Sequence, residues 1–212
     1  TLGEYPQKVP KQWLIPDLNA PDYPMNPFVD IATDLKIMTN DRAGGSIVED
    51  FDNDGYLDLV ISAWDIGTES MRYYKNNGDG TFTDRSVQSG LSVFKGGLNI
   101  QQTDYNNDGY LDIWVLRGAW QGIGGPFGEQ PNSLLRNNGN GSFTDVTIET
   151  GLLSLCPTQV AAWNDFNKDG WIDVFVGNES VPGDKAFACE MYLNNGNGTF
   201  KNVAAECGVD IK

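Results

Sequence analysis

One pattern occurs three times along this chain, and it limits the fold more than anything else in the sequence. Asp50-Phe-Asp-Asn-Asp-Gly-Tyr-Leu-Asp58 returns as Asp104-Tyr-Asn-Asn-Asp-Gly-Tyr-Leu-Asp112 and as Asp165-Phe-Asn-Lys-Asp-Gly-Trp-Ile-Asp173. A second motif keeps step with the first: Asn76-Asn-Gly-Asp-Gly-Thr-Phe82, Asn137-Asn-Gly-Asn-Gly-Ser-Phe143 and Asn194-Asn-Gly-Asn-Gly-Thr-Phe200. Two motifs in register three times over mark a repeat protein, in which each unit buries its apolar face against the next.

Each unit reads as four strands. A small or polar segment leads into the acidic loop (45–49, 99–103, 160–164). Behind the loop come Leu59-Val60-Ile61, Ile113-Trp114-Val115 and Val174-Phe175-Val176. These runs are apolar on both faces, as a strand between two layers must be. A third strand (72–75, 133–136, 190–193) enters the Asn-Asn-Gly turn, whose residues tolerate positive φ, and a fourth pairs back onto it. One helical turn ended by Gly90, Gly151 or Gly208 closes the unit.

The expected fold class is all-β, a β-propeller of four-stranded blades. A linear β-solenoid is the alternative, disfavoured because its coils are usually shorter. Residues 1–26, rich in proline, are expected to form an extended arm, and 27–43 the outer strand of a closing blade around Phe28-Val29-Asp30-Ile31. The blades then cover 44–97, 98–157 and 158–212. Three complete blades and one orphan strand fall short of the roughly four to eight that close a ring. The chain therefore reads as a partial or fragment propeller. Its open edges are expected to be covered by other polypeptide, from the rest of the chain or from neighbouring subunits.

Alternate residues of a tight loop can direct oxygens to one centre, and a hard cation such as Ca2+ takes six to eight of them. The first copy offers Asp50, Asp52, Asp54 and Asp58, with the Tyr56 carbonyl as a further oxygen. The second offers Asp104, Asn106, Asp108 and Asp112 with the Tyr110 carbonyl. The third offers Asp165, Asn167, Asp169 and Asp173 with the Trp171 carbonyl. Gly55, Gly109 and Gly170 supply the sharp turn. An EF-hand begins the same way but needs a bidentate Glu at position twelve, where this chain has Ile61, Val115 and Val176. Three Ca2+ sites are expected, and counting carboxylates ranks the first as the tightest.

The remaining composition narrows the function. With 29 acidic against 14 basic residues and a net charge of −15, nucleic acid and anionic membranes are poor partners. Three bound Ca2+ ions would reduce that charge to −9. There is no histidine, so Ser-His and Cys-His nucleophile pairs are excluded. Cys156, Cys189 and Cys207 lack CxxC spacing, which argues against zinc and leaves any disulfide pairing open. No run of apolar residues reaches the length of a membrane span.

The paired loops and turns resemble those of FG-GAP/VCBS repeat proteins, a group that includes the integrin α-subunit propeller and cartilage acidic protein-like secreted proteins. The resemblance covers about residues 27–212. It implies a calcium-stabilised propeller, usually extracytoplasmic, used for adhesion, ligand binding or assembly.

The leading functional expectation is thus a binding or assembly module for a protein or glycan ligand, placed at the cell surface, in the periplasm or outside the cell. Connections between second and third strands project away from the calcium loops and carry Trp64, Arg117, Trp120, Phe127 and Phe187 as a candidate partner surface. The alternative is a polysaccharide lyase or hydrolase, or a glycan-binding lectin, on the same scaffold. Most motif aspartates are committed to metal, and Asp65, Glu69, Glu129 and Glu179 in these connections form no evident acid–base pair. No catalytic residue is assigned.

Overall fold

The computed structural model describes residues 10–13, 27–39, 43–64, 70–118, 130–180 and 186–210. The chain divides into two units, Thr1–Ile31 and Ala32–Lys212. In the first, Lys11–Trp13 form one 3-10 turn after Pro10, and the rest of the expected arm lies outside the described residues. Residues 27–31 carry no strand, unlike the expectation for Phe28-Val29-Asp30-Ile31. Phe28 and Val29 are 101% and 77% exposed. In the second unit, residues 32–36 form a turn closed by the Ile37 N–H on the Ala32 carbonyl.

The repeats build three four-stranded antiparallel sheets, each in the order of its sequence. The first contains β1 (Ala43–Glu49), β2 (Asp58–Ala63), β3 (Arg72–Asn76) and β4 (Phe82–Asp84). The second contains β5 (Asn99–Thr103), β6 (Asp112–Leu116), β7 (Ser133–Asn137) and β8 (Phe143–Asp145). One helical turn, α1 (Thr147–Thr150), leads on to the third, with β9 (Thr158–Asn164), β10 (Asp173–Asn178), β11 (Glu190–Asn194) and β12 (Phe200–Asn202). A last turn, α2 (Ala204–Cys207), follows. Gly151 and Gly208, at φ 81° and 70°, stop the two helical turns as expected of C′ glycines.

β6 explains why the second strands are apolar on both faces behind their leading aspartate. All five of its residues are buried. Ile113 and Val115 join Ile47, Phe51, Val60 and Tyr73 in the core between the first and second sheets. Trp114 and Leu116 face the other way, into a core with Val174, Val176 and Tyr192 of the third sheet. The phenylalanine ending the second and the third turn motif fills the layer before it. Phe143 packs edge-on against Phe51 and Tyr73, with centroids 5.9 and 6.3 Å away, and Phe200 lies 6.1 Å from Tyr105.

The first strands form the crowded inner row, β1 beside β5 and β5 beside β9. Gln102 donates to Glu49 and Gln101 to the Ala161 carbonyl, at 2.9 and 2.8 Å. A Cβ on Gly45 would lie 2.4 Å from the Ile100 nitrogen. Gly45→Ala is therefore expected to destabilise the protein by about 1–3 kcal/mol. A thermal melt checks this, and an unchanged midpoint would mean that β1 and β5 can separate at no cost.

Candidate metal centre

Glu49 pairs with Asp58, Thr103 with Asp112, and Asn164 with Asp173, so each acidic loop is the turn joining a sheet's first two strands. The chain reverses there through left-handed residues: Asn53, Asn107 and Lys168 at φ 58°, 54° and 63°, and Gly55, Gly109 and Gly170 at 88°, 84° and 93°.

The same hydrogen bonds recur in all three loops. The first aspartate accepts two main-chain N–H bonds: Asp50 from Asp54 and Gly55, Asp104 from Asp108 and Gly109, Asp165 from Asp169 and Gly170. The fifth residue, Asp54, Asp108 or Asp169, accepts the N–H two positions on, each at 2.9 Å. The ninth is fully buried and tied to the third strand: Asp58 accepts from Asn76 N–H, Asp112 from Asn137 and Asp173 from Asn194, all at 2.8 Å. These bonds hold the carboxylates in place and leave further lone pairs free to bind a cation.

Burial makes these charges costly. Asp112 is pushed up to about 7, by burial first, with its bonds from Asn137 and Tyr105 working against it and Asp108 and Asp104 adding repulsion. Burial also raises Asp58. In the first loop, oxygens of Asp50, Asp52 and Asp58 lie within 4.8 Å of one another. Asp52 Oδ1 is buried there with no hydrogen-bond partner. A cluster of carboxylate oxygens, one of them orphaned, fits a hard divalent cation. Asp54 is held below the usual carboxylate range by the Lys75 ammonium and then by the Tyr56 N–H.

The structure explains why the two motifs travel together. The rings of Tyr56, Tyr110 and Trp171 lie over Gly78, Gly139 and Gly196 of the turn, where a Cβ would come within 2.5, 2.8 and 2.8 Å. The turn asparagines also clamp one sheet to the next. Asn137 Nδ2 donates to the Phe51 carbonyl and Asn194 Nδ2 to the Tyr105 carbonyl, both at 2.8 Å. Asn53 and Asn107 reach forward to the Gly109 and Gly170 carbonyls at 3.1 and 3.2 Å. Sequence reasoning assigned the turn asparagines to turn geometry alone and missed the clamp. The signal was that the first asparagine of the turn never varies.

Of the expected partner surface, Arg117 does not face outward. Arg117 is buried, and its guanidinium donates to the Lys95 and Pro131 carbonyls and to Ser133. Burial pulls it down to about 10. It ties loop carbonyls together and is no surface anchor. Trp64 and Phe187 are half-buried, and Trp120 and Phe127 lie outside the described residues. Among the described residues, Cys156, Cys189 and Cys207 form no disulfide. Among the described residues no helix is long and apolar enough to cross a membrane.

A profile of the FG-GAP-like repeat matches residues 50–115, from the first acidic loop into β6. The chain is also similar to cartilage acidic protein 1 of Xenopus tropicalis, with 32% identity over 118 residues. That stretch is 53% of this chain and 16% of the relative. Acidic loop and apolar second strand, three times over in four-stranded sheets, agree with both matches: residues 50–115 carry an FG-GAP-like repeat, and the three sheets are blades of the β-propeller type.

Proposed function

We propose that the chain is a calcium-stabilised propeller module that works outside the cytoplasm and binds or assembles with other polypeptide. The observation that carries this reading is the threefold set of loops, each with a fully buried ninth aspartate, together with the first loop, where oxygens of Asp50 and Asp52 lie within 4.8 Å of Asp58. Asp50, Asp52, Asp54 and Asp58 would hold the first ion, Asp104, Asn106, Asp108 and Asp112 the second, and Asp165, Asn167, Asp169 and Asp173 the third. The Tyr56, Tyr110 and Trp171 carbonyls would add one oxygen each. Bound calcium supplies the positive charge these clusters need, and the loops then lock each blade to the next. Free calcium is abundant outside cells, where modules with dissociation constants of about 10⁻⁴–10⁻³ M are loaded.

The assembly part of the proposal is supported by the outer face of the third blade. Phe166 is 44% exposed, while its counterparts Phe51 and Tyr105, covered by the following blade, are 1% and 3% exposed. Val160, in β9 of the same blade, is 53% exposed. Another layer of polypeptide on this face would bury both. Calorimetric titration of the calcium-stripped chain is expected to show three ions bound, and Asp104→Ala to leave two. A flat titration would end the reading.

A further inference from the structure

The first loop differs from the other two in a pair of linked positions. Asp52 stands where the others have Asn106 and Asn167, and Lys75 stands where β7 and β11 have Arg136 and Leu193. The Lys75 ammonium donates to Asp52 Oδ2 and, at 2.5 Å, to Asp54 Oδ2. In the other loops a neutral carboxamide makes the matching bond: Asn106 to Asp108 at 2.7 Å and Asn167 to Asp169 at 2.8 Å. Arg136 lies by the Tyr105 hydroxyl instead. Four carboxylates with one ammonium carry the same net charge as three carboxylates alone. The extra aspartate of the first loop therefore comes with its own counter-cation.

Lys75 and a calcium ion need the same oxygens. A cleft lined by Asp52, Tyr73, Lys75, Arg85, Gln88 and residues 139–141 opens beside the pair, so the ammonium has a place to swing when it lets go. We propose that Lys75 is a tethered competitor at the first calcium site: it holds Asp52 and Asp54 together until an ion displaces it. The proposal rests on the calcium reading above, and it reverses the ranking that carboxylate number alone suggests. The first site is the weakest of the three in the native chain, and the first blade keeps its loop closed at low calcium.

The test compares Lys75→Leu and Lys75→Arg with the native chain by calcium titration and by thermal melts in chelator. Leucine already occupies this position in β11, so the third blade shows that the fold accepts it. With the charged hydrogen bonds that compete for Asp52 and Asp54 removed, Lys75→Leu is expected to tighten one site about tenfold or more. The other two sites stay unchanged, Lys75→Arg stays close to native, and Asp50→Asn in the Lys75→Leu background abolishes the tightened site. In chelator, Lys75→Leu melts lower than the native chain. Three sites of unaltered affinity in Lys75→Leu would overturn the competitor and leave calcium binding intact. No binding in either protein would remove both.

Discussion

Stripping calcium at neutral pH is expected to lower the melting temperature by about 10–20 °C. At about 2 mM calcium and a dissociation constant of about 10⁻⁴ M, one ion stabilises the folded chain by roughly 1.8 kcal/mol, and three by roughly 5 kcal/mol. For a chain of this length each kcal/mol moves the midpoint by about 2–4 °C. The direction follows from burial. Asp58, Asp112 and Asp173 are all fully buried, and in water their carboxylates would be hydrated without cost. The shift is expected to saturate with added Ca2+ and to respond less to Mg2+, which demands a tighter octahedral shell. A midpoint that ignores both chelator and calcium would leave the buried aspartates without their proposed counter-charge.

The blade architecture was legible because two periodicities overlapped. Apolar runs such as Ile113-Trp114-Val115 must be covered on both faces, and a glycine-rich turn of fixed length sets each hairpin. The acidic loops were legible for the same reason, since oxygens at fixed spacing have few uses. Contacts between units were not legible. Nothing local to Asn137 says that its amide reaches the Phe51 carbonyl, because that contact exists only once two blades stack. Arg117 was misread for a related reason. An arginine in a connection is an anchor or a brace depending on which carbonyls the fold sets around it, and here three oxygen acceptors surround it. At Phe28-Val29-Asp30-Ile31 the likeness to the outer strands lay in the side chains, while a strand also needs a partner in the ladder.

Asn137→Ala is expected to cost about 3–5 kcal/mol, and Asn76→Ala only about 1 kcal/mol, although both remove the same residue of the same motif. Asn137 is 1% exposed and donates to two carbonyls, Phe51 at 2.8 Å and Leu111 at 3.2 Å. Alanine leaves the Phe51 carbonyl buried and takes a donor from the part-buried Leu111 carbonyl, at about 1–3 kcal/mol each. Asn76 is half-buried and donates to Leu57 at 3.0 Å within its own blade, where water can replace it. Asn194, which bridges to Tyr105 at 2.8 Å and Ile172 at 3.1 Å, should behave like Asn137. Chemical denaturation of the three alanine variants with calcium present makes the comparison, since all three keep the twelve aspartate and asparagine ligand positions of the loops. Equal losses at positions 76 and 137 would show that the asparagine serves only its own hairpin. The blades would then be held together by apolar packing and metal alone.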